Sequence, residues 1–208
     1  MKILFLSNNE ISNSLIHWLR NIAKEKVVFY DKPINIEFLE RIKPDFIISY
    51  NYRFIIKQEI IDYMKNNIIN LHISLLPWNK GAYPNVWSFL EDTPKGVTIH
   101  IIDRGIDSGP ILVQKEVYFN ESIETLKSSY EKLHREIQKL FKRYWHDIKN
   151  GKLEPKSQKN LKGSVHYKKD FERIKHLLND KGWNISIIEL KKRYKKSMEG
   201  KNVFENIK

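Results

Sequence analysis

The sequence predicts an α/β fold: a mostly parallel sheet flanked by helices, with an antiparallel strand pair and a small helical C-terminal extension. Two observations carry this. Short apolar runs alternate with 3.6-periodic segments through the first third of the chain, the pattern of a parallel sheet whose crossovers are helices. Two later apolar runs are joined only by DRGIDSGP, residues 103–110, too short for a crossover helix, so that pair runs antiparallel.

The elements follow in order. Residues 2–6 (KILFL) read as a buried strand. Ser12 or Asn13 caps a helix that carries Leu15, Ile16, Leu19 and Ile22 on one face. Residues 27–30 form a second strand. Asn35 opens a short helix with Ile36, Leu39 and Ile42 facing inward. It ends before Pro44, because the residue preceding proline is pushed out of the helical region. Residues 45–49 are a third strand, 58–65 a helix and 68–71 a strand. In such sheets ligands sit at the carboxyl ends of strands, where residues 50–56 and 70–81 fall. Residues 97–102 and 111–117 are the antiparallel pair.

A long helix comes next. Ile123, Leu126, Tyr130, Leu133, Ile137, Leu140, Phe141, Tyr144 and Ile148 share one face. Asn120 or Ser122 suits its start, Glu121 and Glu124 suit the positive end of its dipole, and Gly151 suits its end. Residues 152–167 are polar and irregular. Two short amphipathic helices are expected over 168–179 and 185–196, with fraying over the last ten residues. The chain divides into a core, 1–120, and a long helix plus basic helical extension, 121–208.

With 41% hydrophobic and 12% aromatic residues the chain can bury a core. No apolar run approaches the ~20 residues that span a bilayer, so no membrane partner is expected. The N-terminus lacks the apolar region of a signal peptide. The absence of cysteine excludes disulfides, thiolate nucleophiles and cysteine zinc sites, and it fits a reducing compartment. The histidines at 134, 146, 166 and 176 show no metal-ligand spacing. The net charge of +12 is uneven: 14 basic against 13 acidic residues over 1–120, then 23 against 12 over 121–208. That excess reads as solvated lysine-rich helix faces, with a surface for phosphates or nucleic acid as the alternative. No P-loop or G-x-G-x-x-G is present, so no ATP or NAD site is expected.

The chemistry concentrates in residues 70–109. Asn70 and His72, two apart at a strand end, project from one face. A carboxamide donor beside an imidazole suits polarisation of a carbonyl and proton transfer. Asp107, between Gly105 and Gly109, can orient His72 and stabilise its imidazolium. Each residue alone also has a plain structural reading, as a polar strand end or an Asx turn.

Together, Asn-x-His-x-Ser-x-Leu-Pro (70–77), Gly-Val-Thr-x-His (96–100) and Asp-x-Gly (103–105) resemble the N10-formyltetrahydrofolate-dependent formyltransferase family. The resemblance covers most of residues 1–118 and implies a Rossmann-like core. It places Asn70, His72 and Asp107 on the family's catalytic triad. It implies a pterin-side loop at Tyr50, Tyr52, Arg53, Phe54 and Ile55, closed by backbone contacts from Asp103 and Gly105. Arg53 is a candidate for the folate glutamate tail. The co-substrate is N10-formyltetrahydrofolate, with no metal. Charge on the formyl oxygen would be stabilised by Asn70 and protonated His72, with Asp107 and a water relaying the amine proton.

Among members of the family, methionyl-tRNA formyltransferases carry a β-barrel C-terminal domain, whereas the residues after 120 read as helices. Glycinamide ribonucleotide formyltransferases have a Gly-rich loop where this chain has SNNEISNS. Folate deformylases begin with an extra domain. The small sugar N-formyltransferases fit best, on LPWNKGAYPNVWSFLEDTPKGVTIH and on GKLEPKSQ with GSVHYKKDFERI. That resemblance implies formylation of the exocyclic amine of a nucleotide-linked amino sugar, in the cytoplasm, for surface polysaccharide biosynthesis. Aminoacyl-tRNA, glycinamide ribonucleotide and a peptide-antibiotic precursor are the alternative amines; a non-catalytic RNA- or folate-binding protein is the remaining class. Trp78, Asn79, Lys80 and Tyr83 are candidates for the acceptor side, with packing under a loop as the alternative. Lys80 stands where family members carry Arg. Trp87 reads as core and His100 as a structural histidine. A homodimer is open if the long helix presents its apolar face to a second copy.

Overall fold

The structure is a computed structural model that describes residues 1–205, with side chains to Glu199. Six strands form the central sheet: β1 (Lys2–Leu6), β2 (Lys26–Tyr30), β3 (Phe46–Ser49), β4 (Ile68–His72), β6 (Gly96–Ile101) and β7 (Ile111–Glu116). Their order is β2-β1-β3-β4-β6-β7, while β5 (Lys80–Gly81) and β8 (Val165–His166) pair separately. The pairs from β2 to β4 are parallel. Strand β6 runs against both neighbours, so the expected β6–β7 pairing is joined by an antiparallel β4–β6 pairing.

The helices are α1 (Asn13–Asn21), α2 (Ile36–Ile42), α3 (Gln58–Met64), α4 (Pro84–Leu90), α5 (Leu126–Lys149), α6 (Lys168–Glu172) and α7 (Ile187–Glu205). They cover both faces of the sheet, which explains why β1 is apolar at successive positions. Ile3 and Phe5 pack with Leu15 and Leu19 of α1 and Ile137 and Phe141 of α5. Leu4 and Leu6 point the other way, to Phe38 and Leu39 of α2 and Ile60 of α3. A third cluster joins Val86 and Phe89 of α4 to Phe171, Leu177 and Ile187 of the C-terminal extension. Packing therefore runs unbroken across residue 120.

Several boundaries differ from the sequence expectation. Helix α1 ends at Asn21, which leaves Ile22 66% exposed. Helix α5 starts at Leu126 because Thr125 and Ser128 cap each other's backbone reciprocally. Asn120 instead holds Ser122 in a turn, and Ile123 is 76% exposed. Gly151, at φ 63°, follows the last turn as expected. The helix expected over 168–179 breaks after α6 into a kinked 3₁₀ stretch, Lys175–Asn184, with Asn179 and Gly182 at positive φ. Helix α7 starts two residues later than expected and continues to Glu205, so residues 199–205 are helical. The rest of the expected fraying, 206–208, lies outside the described residues. Among the described residues no helix is long and apolar enough to cross a membrane.

At the centre of the core, Tyr50 Oη meets Nδ1 of His134 at 2.6 Å, with both side chains buried. Burial holds His134 down to about 3. An unfolded histidine titrates near 6.5. Between those values the unfolded chain binds a proton that the fold refuses, so stability falls as pH falls from near neutral. This one group contributes up to about 1.4 kcal/mol per pH unit. Urea unfolding at neutral pH and at about pH 5 should show a larger loss for the wild type than for His134→Gln. Equal losses would mean that another group carries the slope.

Candidate active site

The site forms where the carboxyl ends of β3 and β4 meet the loop between β6 and β7. A cleft of about 980 Å³ opens there, with Asn70, His72 and Asp107 in its lining. Asn70 and His72 alternate with Leu71 along β4, so both emerge on one face. Asp107 sits at φ 47° in a loop whose shape is set by Asp103: its Oδ1 accepts from Gly105 N at 3.1 Å and from Ser108 Oγ at 2.7 Å.

The Asp107 carboxylate gathers the site. Asn70 Nδ2 donates to Oδ1 at 3.1 Å. His72 Nδ1 lies 3.5 Å from Oδ2, and the Gly81 amide donates to Oδ2 at 2.8 Å. His72 Nε2 donates to the carbonyl of Asn79 at 3.0 Å. Both ring nitrogens thus face oxygen acceptors. Burial alone would push the Asp107 carboxyl up. The His72 and His100 rings and the Gly81 amide outweigh it and hold the carboxyl well below the usual carboxylate range.

His100 was read from the sequence as structural, and the structure brings it into the cluster. Its Nδ1 donates to the Ile101 carbonyl at 2.8 Å. Its Nε2 lies 3.3 Å from Asp107 Oδ1 and 3.3 Å from Asn70 Nδ2. A neutral ring accepts from Asn70; a protonated ring donates to Asp107. The signal was the β6 pairing that sets Asn70 opposite His100, which a sequence alone does not reveal.

The remaining candidates divide. Tyr52 lines the cleft, and beside it Asn51 offers a buried Nδ2 with no partner among the described residues. Tyr50 does not line the cleft, because its ring is buried against His134. Arg53 lies over the Phe54 ring at 4.8 Å, Phe54 packs on Tyr52, and Ile55 is 92% exposed; none of the three lines the cleft. Asp103 and Gly105 shape the Asp107 loop and stay outside the lining. On the acceptor side only Tyr83 lines the cleft. Asn79 turns its side chain inward, where it exchanges hydrogen bonds with Thr93. Lys80 belongs to β5, and neither Lys80 nor Trp78 lines the cleft. Trp87 is core, as expected, stacked on His166 at 4.1 Å.

A clamp lies behind the site, in the stretch read as irregular. Strand β8 pairs with β5, the Ser164 hydroxyl accepts from Asn79 N at 3.0 Å, and Gly163 passes the Pro77 carbonyl so closely that a Cβ would lie 2.2 Å from it. Gln158, buried, donates to the carbonyls of Asp107 at 3.0 Å and Gly109 at 2.7 Å. Among the described residues no group of three or more His, Cys, Asp or Glu is arranged to hold a metal ion.

The Gln158 contacts make a prediction. Gln158→Ala leaves two loop carbonyls without a protein donor and should cost about 1–3 kcal/mol in urea unfolding. Hydrogen exchange should rise first over 103–109. Unchanged exchange there would show that the loop holds its shape without the clamp.

Comparison with known proteins places these features. The formyl transferase family matches residues 25–144. The chain is 40% identical over 116 residues to the bifunctional polymyxin resistance protein ArnA of Wigglesworthia glossinidia brevipalpis, which covers 53% of this chain. It is 33% identical over 147 residues, 70% of the chain, to the dTDP-4-amino-4,6-dideoxyglucose formyltransferase of Mycobacterium bovis. It spans only 18% of the length of the first relative and 60% of the second. The formyltransferase PseJ from Anoxybacillus kamchatkensis was solved in complex with UDP-4,6-dideoxy-4-formamido-L-AltNAc and tetrahydrofolate. It superposes with a TM-score of 0.84 at 45% identity, covering 91% of this chain and 97% of that one. With the family matched over more than half its length, this chain belongs to the formyl transferase family.

Proposed function

We propose that this chain transfers a formyl group from N10-formyltetrahydrofolate to the exocyclic amine of a nucleotide-linked amino sugar. The observation that carries the reading is the convergence of Asn70, His72 and His100 on the Asp107 carboxylate in the lining of one cleft. The likeness to PseJ, over nearly the full length of both chains, supports a sugar carried by a nucleotide as the acceptor.

N10-formyltetrahydrofolate supplies the formyl group. The wall at Asn51 and Tyr52 suits it, since the unpartnered Asn51 Nδ2 is a donor in want of an acceptor. In this reading the Asn70 carboxamide turns an N–H from Asp107 to the carbonyl oxygen under attack, and His72 stabilises the charge that grows there. Asp107, held ionised, anchors the His72 ring, and the proton lost by the attacking amine passes through water to N10 as the bond from N10 to the formyl carbon breaks. Residues 1–120 form the catalytic core, residues 156–166 supply the clamp, and residues 126–131 and 180–184 supply the far wall. The transfer takes place in the cytoplasm, and its product is destined for surface polysaccharide. The apolar face of α5 packs on the sheet and is not offered to a second copy.

The test offers the purified chain N10-formyltetrahydrofolate with nucleotide-linked amino sugars, methionyl-tRNA and glycinamide ribonucleotide in parallel. Mass spectrometry reads the gain of one formyl group. Gain on a sugar supports the proposal; gain on tRNA or on the ribonucleotide alone overturns it. Asn70→Ala and His72→Ala should each lower kcat by about 10²–10³, the effect of losing one oxyanion donor. Turnover near wild type in both, with the fold intact by circular dichroism, would remove these residues from the mechanism.

A further inference from the structure

The carbonyl that receives His72 Nε2 belongs to Asn79, a fully buried residue with a left-handed backbone, φ 56°. Its neighbours all act to hold that carbonyl in place. The Asn79 side-chain amide closes on one hydroxyl: Thr93 Oγ1 donates to Oδ1 at 2.7 Å and accepts from Nδ2 at 3.1 Å. The Asn79 N–H donates to Ser164 Oγ at 3.0 Å. The next N–H, that of Lys80, donates to the Ser164 carbonyl at 2.9 Å. That N–H and the Asn79 carbonyl share one planar peptide, so pinning the first fixes the direction of the second.

These contacts exceed what packing a loop requires. A buried amide paired with a hydroxyl adds little stability over an apolar pair of the same shape. What the pair adds is direction. The His72 ring is gripped at both nitrogens, by the Asn79 carbonyl at 3.0 Å and by Asp107 Oδ2 at 3.5 Å. The second grip runs through the same segment, because the Gly81 amide holds Asp107 Oδ2 at 2.8 Å. Residues 79–81 therefore bracket the imidazole, and a turn of the Asn79 peptide would free its Nε2 side. Thr93 is itself a fixed post. It precedes Pro94, which disfavours helical backbone there, and its carbonyl accepts from Lys95 Nζ at 3.1 Å.

We infer that Thr93 and Ser164 are positioning residues for formyl transfer, acting through the Asn79 peptide on the His72 ring. Neither lines the cleft, so an effect of either on turnover passes through Asn79. The inference rests on the proposed reaction, in which His72 faces the charge that grows on the formyl oxygen. It also gives the clamp a task in the chemistry: the hydroxyl and the carbonyl of Ser164 reach the imidazole through one residue.

The experiment compares Thr93→Val, Thr93→Ser and Ser164→Ala with the wild-type chain. It reads steady-state formyl transfer to whichever amine the wild type accepts, and nitrogen-15 NMR of the imidazole rings. The signals missing from His72→Gln identify His72. Thr93→Val keeps the shape and removes the hydroxyl. Its kcat should fall about 10–100-fold, the scale of a misplaced reacting group, with KM for both substrates within about twofold of wild type. Thr93→Ser restores the hydroxyl and should recover most of the turnover. Ser164→Ala keeps the β5–β8 pairing and should lower kcat about 2–10-fold, the effect of one neutral hydrogen bond. The His72 signals should move in Thr93→Val and Ser164→Ala and stay in place in Thr93→Ser. Ser164→Ala decides the matter if Thr93→Val does not fold. Wild-type kcat in the folded variants, a change confined to KM, or unmoved His72 signals overturns the inference and leaves the proposed function standing. A wild type that formylates no amine sinks the proposed function, while moved His72 signals still place Thr93 and Ser164 in control of that ring.

Discussion

A single partly buried carboxylate organises the working end of this molecule. Removing a carboxylate from water costs several kcal/mol unless charge and hydrogen bonds compensate. Asp107 meets that cost with donors from separate segments: Asn70 and His72 on β4, His100 on β6, and the Gly81 amide on β5. Each donor is held by the others through the same two oxygens, so the cluster is cooperative and its members are not independent. The price of loosening one strand end is a partly unpaired anion, which is why β4, β6 and the loop after β4 stay in register there.

The C-terminal extension follows from that constraint. The loop after β4 must put Gly81 N against Asp107, yet it has no long strand of its own. Strand β8 supplies the missing partner, and glycine stands on both sides where the backbones touch. A Cβ on Gly81 would lie 2.3 Å from the His166 carbonyl, and one on Gly163 would lie 2.2 Å from that of Pro77. Gln158 fixes the other loop by its carbonyls, and Lys156 pairs with Ile111 at the start of β7. The third apolar cluster then packs α6, the 3₁₀ stretch and α7 against α4. The site and the extension are one packing unit.

What the sequence made legible was whatever depends on local pattern. The parallel strands, the short helices and the reversed pair after residue 96 follow from periodicity and loop length, which act within a few residues. Asn70, His72 and Asp107 were singled out through the family resemblance that their motifs carry, since each alone also read as a polar strand end or a turn. His100, Gln158 and β8 were not. Each acts across 30 or more positions: His100 on Asn70, Gln158 on Asp107, Val165 on Lys80. Nothing in the residue types alone names those partners. Three of the four acceptor candidates lie outside the cleft lining, Asn79 for a related reason. Asn79 looked like a polar loop residue, but the loop turns it onto Thr93, and its contribution to His72 comes through its carbonyl.

Backbone strain marks the same region independently. Among the described non-glycine residues at positive φ, Asn51, Tyr83 and Asp107 line the cleft, and Asn79 holds His72 from beneath it. Asparagine and aspartate enter the left-handed region at modest cost, since their short polar side chains bond locally. Tyrosine has no such relief, so Tyr83 keeps its conformation only because Phe171 and the α4 cluster fix its ring. The left-handed turn holds the Tyr83 ring parallel to Trp183, in the same lining as the triad.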